Sequence, residues 1–184
     1  SGDKEAVAKR NFLTTVYDHL NSGEAARTLN LSSAEQQAVK ELFLLSMKPV
    51  MYVANVDEEG LLASPHVDAI KRPAADEGSE LVVICSKLEA EIAELEDSEK
   101  TEFLRDYGLS ESGLDRVINA GYKLLQLQTF FTTGEKEVRA WTIKSGASAA
   151  TAAGTVHTDF EKGFIRAEVV AYQDYIACNG EQGA

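Results

Sequence analysis

Pro49-Val50-Met51-Tyr52-Val53-Ala54 runs directly into Asn55-Val56-Asp57-Glu58, and this junction decides the fold class. An unbroken apolar run after a proline reads as a strand buried on both faces, the pattern of a parallel sheet. The strand stops where polar residues begin, which places Asn55 and Glu58 at its carboxyl end. Open α/β sheets bind ligands in the crevice beyond such strand tips. A second apolar run, Leu81-Val82-Val83-Ile84-Cys85, ends in the same way at Ser86-Lys87-Leu88-Glu89. Between the two, Ser64-Pro65 reads as a helix start and Gly78 as a helix stop. The sum is a β-α-β unit with polar loops at both strand tips, half of a nucleotide site.

Composition sets the outer bounds. A chain of 184 residues can hold one domain with a good core or two small ones. Apolar content of 44% and charged content of 26% are those of an ordinary globular protein. The sequence contains no apolar run long enough to span a membrane and no basic-then-apolar start of a secretory signal. The first residues read as a cut through a longer chain. Cys85 and Cys178 lie far apart and one falls in a core strand, which favours reduced thiols and a cytoplasmic setting. A formal net charge of −12 argues against non-specific wrapping of nucleic acid.

Upstream, Leu13, Val16, Tyr17 and Leu20 share one face of a helix over Glu5 to Leu20, ended by Asn21-Ser22-Gly23. Ser32-Ser33-Ala34-Glu35 has the spacing of a capping box and opens a second helix with Ala38, Val39, Leu42 and Phe43 on its apolar face. The two form a helical hairpin able to pack alone or within a coiled coil. Downstream come a short acidic helix with Leu88, Ile92 and Leu95, a helix over Ser98 to Tyr107, and one over Gly113 to Leu127. The last is expected to bury Leu114, Val117, Ile118, Leu124 and Leu125. Pro73 should kink or shorten the helix begun at Pro65. From Thr129, strands at Val138 to Ile143 and Phe164 to Val170 around a small-residue stretch, Ala147 to Gly154, suggest a small α+β domain.

The chemistry concentrates at the strand tips. An asparagine amide can donate to N7 and accept from N6 of adenine. An ionised carboxylate three residues on can only accept, so Glu58 suits the paired donors of guanine or a ribose hydroxyl, not the bare N1 of adenine. The same four residues also read as an ordinary polar turn. Ser86 and Lys87 leave the neighbouring strand where backbone N–H groups of a helix start can meet a purine edge, though Ser86 also reads as a plain cap. His157, with Thr158, Asp159 and Lys162, lies in a loop without a second histidine or cysteine at metal spacing, so a surface or packing role competes with a ligand role. No Ser/His/Asp arrangement and no Gly-x-x-x-x-Gly-Lys-Ser/Thr occur, so neither a catalytic residue nor a phosphate cradle is assigned.

At these residues the chain resembles the YchF / Obg-like ATPase family of P-loop NTPases. Lys48 to Glu58 resembles the family's fourth nucleotide-binding motif, in which Asn-x-x-Glu replaces Asn-Lys-x-Asp. Cys85-Ser86 through Leu95 resembles the fifth. Arg139-Ala140-Trp141-Thr142-Ile143 and His157 through Ala167 resemble the C-terminal TGS domain, a ubiquitin-like β-grasp module. Pro73 and Lys87 depart from the family pattern, which has a helix former at the first and commonly a small residue at the second.

The resemblance implies an α/β fold, the C-terminal part of a nucleotide-binding G domain with parallel strands (48–127). Before it stands the second part of a helical coiled-coil insertion (1–47), and after it a TGS domain incomplete at its C-terminus (128–184). The P-loop would be missing. The implied function is binding and hydrolysis of ATP or GTP coupled to ribosome association in the cytoplasm. Asn55, Val56, Glu58, Ser86 and Lys87 would hold the base, the last two through their backbone. The Mg²⁺ ligands would lie in the missing N-terminal part, leaving this portion inactive alone. His157, Thr158, Asp159 and Lys162 would meet ribosomal RNA or protein. A non-enzymatic ribosome- or RNA-binding adaptor with a vestigial nucleotide site is the rival expectation.

Overall fold

A computed structural model describes residues 4–134 and 136–180. The chain divides into two compact units, Ser1–Leu125 and Gln126–Ala184.

The first unit opens with α1 (Lys4–Asn21) and α2 (Ser33–Lys40). The capping box forms as its spacing predicts. The Ser32 hydroxyl accepts from the Glu35 N–H at 3.4 Å, and Glu35 Oε2 accepts from the Ser32 N–H at 2.9 Å. Val16 and Val39 are buried, but the apolar face of α2 breaks after Lys40. Leu42 and Phe43 donate to the carbonyls three residues back, Val39 and Lys40. That tighter turn carries Phe43 off the helical stripe to φ +50° and leaves it 90% exposed. Between the helices, Arg27 in the turn Ala26–Thr28 pairs with Glu77, whose other oxygen accepts from the Tyr52 hydroxyl at 3.2 Å. One carboxylate thus ties the helical segment to the strand that follows.

β1 (Met51–Asn55) and β2 (Glu80–Ile84) pair in parallel, Met51 beside Glu80 and Asn55 beside Ile84. The crossover helix α3 (Pro65–Asp76) starts where the sequence places it, with Ser64 accepting from the Val67 N–H. Gly78 ends it at φ +66°, a conformation that side chains resist. Pro73 does not end the helix early. It stands in the last turn, where it removes a single ladder bond, and the helix continues through Ala74, Ala75 and Asp76. Burial on both strand faces is not complete either. Ala54 and Val82 are buried while Val53 is 43% exposed, because two strands make a sheet too narrow to be covered across its width.

Three helices follow, α4 (Ser86–Glu94), α5 (Asp97–Asp106) and α6 (Gly113–Leu124). The last stops short of the expected Leu127, because Gln126 turns at φ +52°. α6 lies on β1 and β2 through small residues, with Gly113 and Ala120 buried. A Cβ on Gly113 would meet Glu89 Oε1 at 2.7 Å and Ile84 Cγ2 at 2.9 Å, so only glycine permits this approach. Packing through the small-residue face turns the bulky one outward. Leu114, Ile118 and Leu125 are therefore exposed, not buried as their spacing suggests.

In the second unit, β3 (Leu127–Thr133) and β4 (Val138–Lys144) form an antiparallel pair, with Leu127 opposite Lys144. β3 is the strand that the sequence reading missed, although Thr129 to Thr133 has the β-branched and aromatic character of one. The indole N–H of Trp141 donates to Thr132 Oγ1 across the pair at 2.9 Å, and the Arg139 guanidinium stacks 4.2 Å above the indole. α7 (Ala149–Val156), α8 (Thr158–Lys162) and α9 (Tyr172–Ala177) complete the unit. The strand expected over Phe164 to Val170 does not form. The segment finds no ladder partner among the described residues, and Ile165 and Val169 stand 91% and 84% exposed.

Candidate functional site

The parallel register places the ends of β1 and β2 side by side, and their loops meet at one cleft. It is lined by Asn55, Val56, Asp57, Glu58, Glu59, Cys85 and Lys87, and encloses about 620 Å³. That volume lies in the range of small-molecule sites. Each lining residue has a backbone reason for its place. The Val56 N–H extends the ladder to the Ile84 carbonyl at 2.8 Å. Asp57 folds back to accept from the Gly60 N–H at 2.8 Å, closing a turn that directs Glu58 toward the second strand. Gly60 is required there, since a Cβ would stand 2.8 Å from that of Val56.

Asn55 Oδ1 accepts from the Ser86 N–H at 3.0 Å. Ser86 is the first residue of α4, so a side chain from the neighbouring strand satisfies one of the orphan donors of that helix. This bond spends the Ser86 N–H within the protein and leaves the Asn55 amide N–H₂ as the group free to donate. Ser86 is not the cap of α4. Cys85 holds that position without a side-chain bond.

Glu58 and Lys87 face each other across the cleft. Lys87 Nζ donates to Glu58 Oε1 at 2.8 Å, with the two side chains 72% and 38% exposed. Glu58 beside the ammonium pushes the Lys87 pKa up, with smaller contributions from Glu91 and Tyr107 against slight desolvation. The side chain of Lys87 is the functional feature that sequence reading assigned only to the backbone. The signal was present as a cation in the first turn of a helix, where the dipole disfavours it and a carboxylate partner is called for.

The second group of candidates lies in the other unit. Thr158, Asp159 and Lys162 stand on the one-turn helix α8 rather than in a loop, and all are exposed. His157 is its N-cap, with Nδ1 accepting from the Asp159 N–H at 3.2 Å. The bond assigns it a structural task and requires an unprotonated Nδ1. The remaining histidines and cysteines add no site. His19 Nε2 bonds to the Ala25 carbonyl and Thr28 Oγ1, and Cys85 and Cys178 are both free thiols. Among the described residues no group of three His, Cys, Asp or Glu side chains is placed to hold a metal ion. The described residues therefore do not fit Mg²⁺, and no step is routed through it. Nor is any helix among them long and apolar enough to cross a membrane.

Comparison with known proteins places this geometry. A family model, YchF-GTPase_C, described as "Protein of unknown function (DUF933)", matches residues 127–184. "Ribosome-binding ATPase YchF" of Haemophilus influenzae is 52% identical over 183 residues, 100% of this chain and 50% of that one. The protein of the same name from Bacillus subtilis is 48% identical over 185 residues, 99% of this chain and 50% of its own. The solved structure of the Schizosaccharomyces pombe YchF GTPase superposes with a TM-score of 0.83 at 31% identity, covering 98% of this chain and 49% of that one. The chain spans about half the length of the curated relatives it matches. With strand-tip residues gathered at one cleft and about half of its positions shared with bacterial YchF proteins along its entire length, the chain belongs to the YchF family.

Proposed function

We propose that this chain supplies the base-recognition half of the nucleotide site in a ribosome-associated ATPase or GTPase of the YchF type. The observation that carries the reading is the meeting of Asn55, Val56, Glu58 and Lys87 from two adjacent strand tips at one cleft. A purine fits such a site by chemistry. The Asn55 amide donates to N7, Val56 packs on the ring, and the Glu58 and Lys87 heads face the Watson–Crick edge. In this reading residues 48–127 are part of a G domain, 1–47 belong to a helical insertion, and 128–184 form a TGS module that meets the ribosome. The relatives' printed name, which joins ribosome binding to ATPase activity, supports the same assignment. The protein acts in the cytoplasm, where ribosomes and ATP or GTP are available. Phosphoryl transfer needs positioned phosphate-binding groups and Mg²⁺ that this sequence does not supply, so the chain alone hydrolyses neither nucleotide. Phosphate release from ATP by the purified chain should stay at background.

The test is Asn55→Asp in the protein at the full length its gene encodes. Aspartate keeps the acceptor for the Ser86 N–H and removes only the donor. Nucleotide affinity should fall roughly ten- to a hundredfold, the worth of one well-placed hydrogen bond in a site built for it. The thermal transition should hardly move. Unchanged affinity for both ATP and GTP would leave the cleft without a base-binding role and favour an adaptor that uses only its ribosome-binding module.

A further inference from the structure

We propose that Lys87 sets the base choice of this cleft: its ammonium, held 2.8 Å from the Glu58 carboxylate, withholds that carboxylate from a guanine edge and converts the pair into a match for adenine. The inference rests on the reading of the cleft as a purine-base pocket. A lone carboxylate at Glu58 would select guanine, because N1–H and N2–H₂ present two parallel donors to its two oxygens. It would also repel adenine, whose N1 is a bare acceptor. Lys87 reverses both preferences. Its ammonium occupies Oε1, so guanine must displace a cation to make the paired contact. The same ammonium has three donors, of which Glu58 takes one, and another is available to adenine N1. The free oxygen of Glu58 can then accept from the adenine N6 amino group. Donor and acceptor side by side complement the adenine edge as a carboxylate alone cannot.

The surroundings keep the pair in place. Lys87 stands in the first turn of α4, where the helix dipole disfavours a cation and makes a carboxylate partner the stabilising arrangement. Glu91 and Tyr107 are the further groups acting on it, and with Glu58 they keep the amine protonated throughout the neutral range. Asn55 contributes nothing to the choice, since N7 is common to both purines.

The experiment measures ATP and GTP affinities of the protein at its encoded full length, beside Lys87→Met, Lys87→Arg and Asn55→Asp. An exposed ion pair has a modest effect, so Lys87→Met should move the ATP/GTP affinity ratio about three- to fivefold toward GTP. Lys87→Arg, which keeps the charge, should hold the ratio within about twofold. A merely structural Lys87 would weaken both nucleotides together and leave the ratio alone, and that result overturns the proposal. If Asn55→Asp weakens both nucleotides while Lys87→Met leaves the ratio unchanged, Lys87 has no part in base choice and the pocket stands. If Asn55→Asp changes neither affinity, the pocket itself falls, and the proposal with it.

Discussion

Asn55 shows how one side chain can have a structural and a recognition role at once. Its oxygen holds the first N–H of α4, and its nitrogen remains a donor at the cleft. Glu58 is similarly divided, bonded to Lys87 through Oε1 and open at its other oxygen. The long acid and the apolar Val56 stand where Asn-Lys-x-Asp sites carry a short acid and a lysine. Exchanging both, Glu58→Asp with Val56→Lys, shortens the acid beyond the reach of Lys87 and restores the arrangement that reads guanine. The ATP/GTP affinity ratio should then shift toward GTP by roughly tenfold, the effect of one good pair. Titration of both nucleotides against both full-length proteins measures it, and a constant ratio would show that these two positions do not read the base.

At the scale of elements, helix ends settle much of the structure. Glu89 on α4 accepts from the Gly113 and Leu114 N–H groups at 2.7 and 3.0 Å and so caps α6 from outside. Two charge-assisted bonds and a favourable dipole contact are lost in Glu89→Ala. The variant should lose about 1–3 kcal/mol in denaturant unfolding, and Glu89→Gln, which keeps one acceptor, should lose less. If the alanine variant is as stable as the parent, α6 does not depend on this cap. On α8, Asp159 and Lys162 are exposed and neither closes the helix, a task that falls to His157. Replacing both by alanine is expected to weaken co-sedimentation with ribosomes several-fold and leave the melting temperature within about 2 °C, the small effect usual for surface substitutions. Loss of fold and of binding together would make the motif structural.

On the scale of the molecule, the first unit is joined by the carboxylate of Glu77, shared by Arg27 and Tyr52. The Arg27 guanidinium, aided by the Tyr52 hydroxyl against slight desolvation, holds the Glu77 pKa below the usual glutamate range. A carboxyl with a lowered folded pKa adds stability that is complete above its unfolded value and disappears as pH falls through the folded one. The parent should therefore melt above Glu77→Gln at neutral pH, and the gap should close toward about pH 3. Melting curves of the two across that range check the sign. A gap independent of pH would mean that the contact is worth only its packing.

How much of this was legible in the sequence depends on the range of the interaction. The capping box at Ser32 and Glu35, the start at Ser64-Pro65, the stop at Gly78 and the strand Met51–Asn55 are all local. Each follows from hydrogen-bond valence or backbone sterics within a few residues, and each stands where the sequence places it. The convergence of Asn55 and Glu58 with Lys87 was half legible. Strand tips of one β-α-β unit must lie together, but only the folded chain shows that the Ser86 N–H turns inward and the Lys87 side chain across. Burial was the least legible. Leu114 and Ile118 have the spacing of a core face, yet Gly113 and Ala120 are the residues that touch the sheet. Phe164 to Val170 has the composition of a strand without a ladder beside it among the described residues. Periodicity records which side chains prefer to leave water. Which of them find cover is decided by surfaces distant in sequence, and only the tertiary structure brings those surfaces together.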